Sequence, residues 1–336
     1  MGDILSPGIH VVPASRSRMR RVLTTMRPPA RPLVIAHRGA CGYRPEHTLA
    51  SYRLAIALGA DFVEPDLVST RDGVLVARHE NEIGHTTDVA RHPEFADRMA
   101  TKVVDGRELT GWFTEDFTLA ELKTLRAVER LPGLRPGNTR YDGRYDVPTF
   151  DEVLELVAEE STRLGREVGV YPETKSPSYF DGLGLALEAP LLDALARHGL
   201  DHAGAPVLVQ SFEPDNLRRL RGRTSVGLVQ LVAATGRVDL VTATGLRRVA
   251  QYADAVGVDK QLVLPGPSSV VADAHAAGLQ VHVWTLRDET DSIEDTWAFV
   301  DAGVDGLFTD QPDTTLEACR LRLGAQASGI RIHAAR

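Results

Sequence analysis

From Pro32 onward, short β-branched apolar runs alternate with longer segments whose apolar residues recur at helical spacing. The runs at Val34–His37, Phe62–Leu67, Val168–Thr174, Val207–Phe212, Ser225–Leu231, Ala255–Val258, Val281–Leu286 and Gly306–Thr309 predict eight strands. Most are too continuously apolar for a sheet with one wet face, so they read as parallel strands covered on both sides. Amphipathic segments at Thr48–Leu58, Thr149–Leu164, Gly184–His198, Pro214–Leu220, Ser268–Ala277 and Ser292–Asp301 lie between most of them. Strand followed by helix, eight times over about 290 residues, predicts an α/β fold of the (β/α)8 TIM-barrel type. No Gly-x-Gly-x-x-Gly opens a helix after a strand, which counts against a doubly wound dinucleotide-binding sheet.

One spacing breaks the rhythm. The second strand ends near Leu67 and the third starts near Val168, about three times the interval of a normal βα unit. An insertion of about residues 85–146 is therefore expected after the second strand, preceded by a short strand at Gly73–His79 and containing one helical piece at Leu119–Leu125. Insertions on this side of a barrel cover the active-site mouth. The barrel is placed at residues 33–322, with a C-terminal tail at 323–336. Residues 1–32 hold six arginines, five prolines and one acidic residue without periodicity, and read as a flexible tail.

Composition narrows the classes. A 336-residue chain that is 43% hydrophobic can bury a large core, and its formal charge of −8 makes a phosphate backbone or an anionic membrane a poor partner. Two distant cysteines, Cys41 and Cys319, provide neither a disulfide framework nor a cysteine-based zinc site. No apolar run approaches the roughly 18 residues of a membrane span, and the N-terminal charges follow the weakly apolar stretch instead of preceding it. A soluble, cytoplasmic chain is expected.

Chemistry is sought at the C-terminal ends of the strands. The first strand delivers His37 and Arg38; the second delivers Glu64 and Asp66, two residues apart and so on one face. The third delivers Glu173, followed by Lys175. Three convergent carboxylates repel one another unless a proton or cation sits between them, and an all-oxygen set suits Mg²⁺ or Ca²⁺. His79 closes the short strand near enough to face His37, and two histidines beside a cation suit general acid–base work near neutral pH. Arg38 and Lys175 suit phosphate oxygens. A salt-bridged structural network is the competing reading of the same charges.

The segments His37-Arg38-Gly39-Ala40, Arg44-Pro45-Glu46-His47-Thr48, Glu64-Pro65-Asp66-Leu67, Asp72-Gly73, Arg78-His79-Glu80, Tyr171-Pro172-Glu173-Thr174-Lys175, Gln210-Ser211-Phe212, Val283-Trp284-Thr285 and Phe308-Thr309-Asp310 resemble, in order, the glycerophosphodiester phosphodiesterase family, in its larger, insertion-containing bacterial form. The resemblance implies a TIM barrel that hydrolyses small-molecule glycerophosphodiesters such as glycerophosphocholine to glycerol 3-phosphate and an alcohol, using a divalent cation. By matching position it implies Glu64, Asp66 and Glu173 as metal ligands and His37 and His79 as the acid–base pair. It also implies Arg38, Lys175, Glu46, Gln210 and Trp284 at the substrate and phosphate site, with Glu46 able to orient His37 or meet the metal. The larger members carry a signal peptide, which leaves secretion open. His47 stands where many members have Asn, and Thr174 where many have Ile; both are expected to affect substrate preference more than chemistry.

Two alternatives stand beside this reading. A lysophospholipase-D-like barrel would need a wide apolar mouth, for which Trp112, Phe113 and Phe117 of the insertion are candidates, unless they form the insertion's own core. A catalytically silent barrel that binds phosphorylated ligands would be expected to lack one of the five central residues, and all five are present. The insertion contains none of those five, so it is expected to act on specificity and not on bond cleavage. The preferred head group, the cation, the oligomeric state and the role of the Arg-rich tail are not set by the sequence.

Overall fold

A computed structural model of the protein describes residues 31–264 and 268–328. The tail expected at residues 1–32 lies almost wholly outside that range, as do residues 329–336. The strands are β1 Leu33–His37, β2 Phe62–Glu64, β3 Asp66–Ser69, β4 Leu75–Ala77, β5 Ala100–Val104, β6 Arg107–Gly111, β7 Gly169–Val170, β8 Glu173–Thr174, β9 Leu208–Ser211, β10 Gly227–Val232, β11 Ala255–Asp259, β12 Gln280–Leu286 and β13 Gly306–Thr309.

The predicted second strand is two pieces, β2 and β3, divided at Pro65; the predicted third is β7 and β8, divided at Tyr171-Pro172. A proline has no N–H to give to the ladder, so pairing lapses at each. The pieces still run in line: β2 pairs with β1 and β7, and β3 pairs with β8, all parallel. From β8 the parallel ladder continues through β9, β10, β11, β12 and β13 and returns to β1. Counting each divided strand once, the ring has eight members, and the protein is a closed (β/α)8 barrel.

Side chains alternate across each strand, and this places the site. Leu33, Ile35, Phe62, Tyr171, Leu208 and Phe308 belong to one buried cluster inside the ring. His37, Glu64, Glu173 and Gln210 follow those residues at two-residue steps, so the faces that fill the barrel floor carry polar groups at its C-terminal mouth. The opposite faces pack on the surrounding helices, whose starts are fixed by side-chain caps: Thr149 and Ser292 each close a capping box, on Phe150–Leu164 and Ile293–Ala302. The last helix, Pro312–Ala327, runs past the 322 boundary, and Ala325 beyond it is still buried. None of the described helices is long and apolar enough to cross a membrane.

The insertion leaves β3 through β4, which pairs antiparallel with it. It includes a hairpin the sequence reading did not anticipate, β5–β6, turned by Asp105 and Gly106 at φ 50° and 74°. Phe113 and Phe117 are fully buried within it, Phe117 edge-on to Phe95 at 5.0 Å, and Trp112 Nε1 donates to the Phe95 carbonyl (2.7 Å). These aromatics are therefore the insertion's own core and not an apolar mouth.

Candidate active site

One oxygen from each of Glu64, Asp66 and Glu173 lies within 4.8 Å of the others. All three residues are buried. Glu64 accepts from Gln210 Nε2 (2.9 Å) and from the Arg38 N–H (2.8 Å), and Glu173 accepts from Lys175 Nζ (2.9 Å). Among the described residues Asp66 Oδ1 has no hydrogen-bond partner; Lys175 Nζ stands 3.9 Å away. Burial, reinforced by the other two carboxylates, pushes Glu64 well above its usual range, and burial with Asp66, against the pull of Lys175, pushes Glu173 up to about 8. Asp66 goes the other way: burial opposes ionisation, but Lys175, His79 and His47 hold it well below the carboxylate range. The cluster is short of positive charge, and its orphaned oxygen and all-carboxylate donor set fit a hard divalent cation.

His37 Nδ1 is 2.6 Å from Asp310 Oδ1, and its Nε2 accepts from Arg38 Nε (3.2 Å). With Asp310 ionised, Nδ1 carries the proton and Nε2 is the basic lone pair. His79 Nδ1 bonds Glu80. Burial pushes both imidazoles down, His79 to about 3 with Arg38 and Lys175 contributing. The loop after β1 is strained to build this corner: Arg38 and His47 are two of only four described non-glycine residues with positive φ, at 57° and 52°. Between them Gly39, at φ 85°, packs so tightly that a Cβ there would lie 2.5 Å from Ser51 Oγ.

Every site residue singled out from the sequence borders this region, but two expectations change. Glu46 does not touch His37. It accepts from Arg38 Nη1 (3.0 Å) and is gripped by Arg130 at both oxygens (2.6 and 2.7 Å), so Asp310 is the group that orients His37. His47 is fully buried and faces Asp66, with Nε2 2.8 Å from Oδ2 and Nδ1 2.7 Å from the Tyr52 hydroxyl. It supports the carboxylate cluster and has no route to a substrate head group. Thr174 is also turned away, bonding Asn216 Oδ1 (2.8 Å) in the layer between barrel and helices.

The cleft above these groups has a volume of about 120 Å³. Its lining brings His37, Arg38, His79 and Lys175 together with Phe212 and Trp284, which meet edge to face at 5.8 Å, Lys175 Nζ lying 5.9 Å from the Phe212 ring centroid. Trp284 Nε1 is a buried donor without a partner among the described residues. A wider surface hollow of about 590 Å³ beside Arg44 and Arg140 is larger, but it gathers no carboxylate cluster and no histidine.

Sequence reasoning missed Asp310, Glu80, Arg130 and Arg135. The first two had a signal: Asp310 follows the last strand directly, and Glu80 adjoins His79. The arginines had none, since Arg130 is 50 residues from Glu80 and Arg135 is 175 from Asp310.

A barrel mouth with a cation-ready carboxylate cluster, two carboxylate-linked imidazoles and fixed guanidinium and ammonium groups suits cleavage of phosphate esters. Comparison with known proteins narrows that class. Residues 37–314 match the glycerophosphoryl diester phosphodiesterase family. The chain is 34% identical over 319 residues to a glycerophosphodiester phosphodiesterase of Arabidopsis thaliana, covering 84% of each chain. It is 31% identical to one of Bacillus subtilis, covering 92% of this chain and 94% of that one. Among solved structures, an Oleispira antarctica phosphodiesterase superposes with a TM-score of 0.64 at 24% identity, over 86% of this chain and 96% of that one. The chain belongs to the glycerophosphoryl diester phosphodiesterase family and is a phosphoric diester hydrolase.

Proposed function

We propose that the enzyme hydrolyses glycerophosphodiesters, glycerophosphocholine among them, to glycerol 3-phosphate and an alcohol. Glu64, Asp66 and Glu173 hold a divalent cation, Mg²⁺ or Ca²⁺, and His37 and His79 are the acid–base pair. The observation that carries this reading is the meeting, in one cleft, of the carboxylate cluster with two histidines that each have a carboxylate on Nδ1. The Oleispira antarctica phosphodiesterase was solved in complex with the product sn-glycerol-3-phosphate, the product expected here.

A bound cation would supply charge neutralisation and polarisation of the phosphoryl oxygens. Arg38 and Lys175, both largely buried, hold those oxygens in place, and Gln210 fixes the Glu64 carboxylate. Trp284 and Phe212 line the cleft beside these groups. One histidine takes the proton from the attacking oxygen as its bond to phosphorus forms. The other gives a proton to the alcohol oxygen as its bond to phosphorus breaks. With Asp310 and Glu80 on Nδ1, Nε2 is the exchanging nitrogen of each ring: a free lone pair on the base, and the second N–H of an imidazolium on the acid.

The test is release by the purified chain of glycerol 3-phosphate from glycerophosphocholine and glycerophosphoethanolamine, and of choline with lysophosphatidic acid from lysophosphatidylcholine, with and without chelator. Release from the first two, lost on chelation and restored by Mg²⁺ or Ca²⁺, is the expected result. Preference for the acylated substrate would instead establish the lysophospholipase-D-like reading, and absence of turnover by folded, metal-loaded protein the silent barrel.

A further inference from the structure

The insertion segment that carries Arg130 and Arg135 is fastened to its surroundings before either side chain is considered. The Ala127 N–H donates to the Tyr145 carbonyl (2.7 Å) and the Val128 N–H to the Thr86 carbonyl (3.0 Å). Asn138 Nδ2 donates to Glu129 Oε2 (2.9 Å) and to the Cys41 carbonyl (3.2 Å), tying the segment to the loop after β1. From this base Arg130 donates to Glu80 through Nη2 (2.6 Å) and Nη1 (3.2 Å). Arg135 donates through Nη2 to Asp310 Oδ2 (2.6 Å), through Nη1 to the Cys41 carbonyl (3.0 Å) and through Nε to Glu289 (2.7 Å). Glu80 and Asp310 are the Nδ1 partners of His79 and His37. One loop thus starts two chains of identical order: arginine, carboxylate, imidazole.

A carboxylate can fix the tautomer and plane of an imidazole only if it is itself held. A guanidinium holds it by geometry and by keeping it ionised, Arg130 as a fork on both Glu80 oxygens and Arg135 through Nη2 alone on Asp310. A lysine would supply the charge without the fork.

We propose that the insertion is a positioning element for both proton carriers, Arg130 acting through Glu80 on His79 and Arg135 through Asp310 on His37. This rests on the acid–base reading of the two histidines and changes the expectation that the insertion affects specificity alone. The chains are unequal. Asp310 Oδ2 also accepts from Arg287 Nε (3.0 Å), whereas Arg130 is the only arginine or lysine bonded to Glu80 among the described residues. Loss of Arg130 should therefore be felt more than loss of Arg135.

The test compares Arg130→Gln, Arg130→Lys, Arg135→Gln, Arg135→Lys and Asn138→Ala with His37→Ala and His79→Ala, all as metal-loaded enzyme. The substrates are glycerophosphocholine and bis(p-nitrophenyl) phosphate. The glutamine variants should lose kcat on glycerophosphocholine by about 10- to 100-fold with KM little changed, Arg130→Gln the more, and lysine should restore part of the loss. Nitrophenolate departs without a proton. The arginine serving the general acid should therefore matter for glycerophosphocholine but little for the activated diester, and the arginine serving the base should matter for both. Asn138→Ala, which loosens the base of the loop but keeps both arginine–carboxylate contacts, should lower Tm and cost less kcat than either glutamine variant.

Wild-type kcat in folded arginine variants, while the histidine variants are dead, would overturn the proposal and leave the acid–base reading standing. So would an equal loss in Asn138→Ala, or an identical response of both arginines to the leaving group. Wild-type kcat in the histidine variants would overturn both. Where a glutamine variant does not fold, its lysine counterpart carries the same comparison, with a smaller loss expected in the same direction.

Discussion

Replacing His47 with leucine tests whether this side chain supports the carboxylate cluster or tunes the substrate. Burial pushes its imidazole down to about 4, so it is neutral at pH 7. With Asp66 ionised, Nε2–H donates to Oδ2 and Nδ1 accepts from the Tyr52 hydroxyl, both groups being buried. Leucine removes both contacts at once and leaves two buried polar groups unpaired. Each costs about 1–3 kcal/mol, with the charged carboxylate at or above the upper end, giving a loss of roughly 4–6 kcal/mol in urea unfolding under chelator. Because Asp66 then loses the donor that fixes its plane, the cation concentration giving half-maximal activity should rise by about 10- to 100-fold. His47→Asn keeps one donor and should fall between wild type and leucine on both scales. Head-group ranking should not move in either variant. A changed ranking with unaltered stability and cation requirement would refute this assignment and restore the expectation read from the sequence.

Chelation should lower Tm as well as activity, because a ligand bound only by the folded state at a hundred times its Kd adds about 2.7 kcal/mol; a chelator-insensitive Tm would count against the carboxylate assignment. His37→Ala and His79→Ala should each lower kcat by at least roughly 100-fold, and the double variant should fall far short of multiplying the two, since both act in one proton-transfer cycle. Acid stability should report on His282, which is buried in the barrel core, bonds the Tyr171 hydroxyl through Nδ1 (2.7 Å) and is pushed down by burial to about 4. A depressed histidine binds fewer protons folded than unfolded. Its contribution is therefore complete above about pH 6.5 and is lost as pH falls toward 4, a change of about 3 kcal/mol that His282→Gln should remove from the pH-dependence of unfolding.

What could be read in advance follows the reach of the underlying forces. Strands buried on both faces announce themselves as apolar runs, and the edges of β13 and the helix at Phe150–Leu164 fall within a residue of expectation. The divisions at Pro65 and Pro172 were hidden because an interrupted strand keeps its apolar alternation on either side of the proline. The β5–β6 hairpin was missed although Asp105-Gly106 is a strong turn signal, since its strands are mostly solvent-exposed and form no apolar run. At the site, groups delivered by neighbouring strand ends were legible, because register places them together. Arg130, Arg135 and the buried face of His47 depend on how a long insertion and a strained loop fold back, and no local pattern encodes that.

The hydrogen bond between His37 and Asp310 joins groups 273 residues apart, one at the end of β1 and the other just beyond β13. A nascent chain that has made every strand except β13 already contains Glu64, Asp66 and Glu173, yet has no carboxylate on His37. With the roles proposed for these groups, cation uptake would not require the last strand, whereas turnover would report the sealing of the ring. In a library of split or circularly permuted barrels, selection for hydrolysis would retain only those in which first and last strands meet. Selection for cation binding would also pass open intermediates.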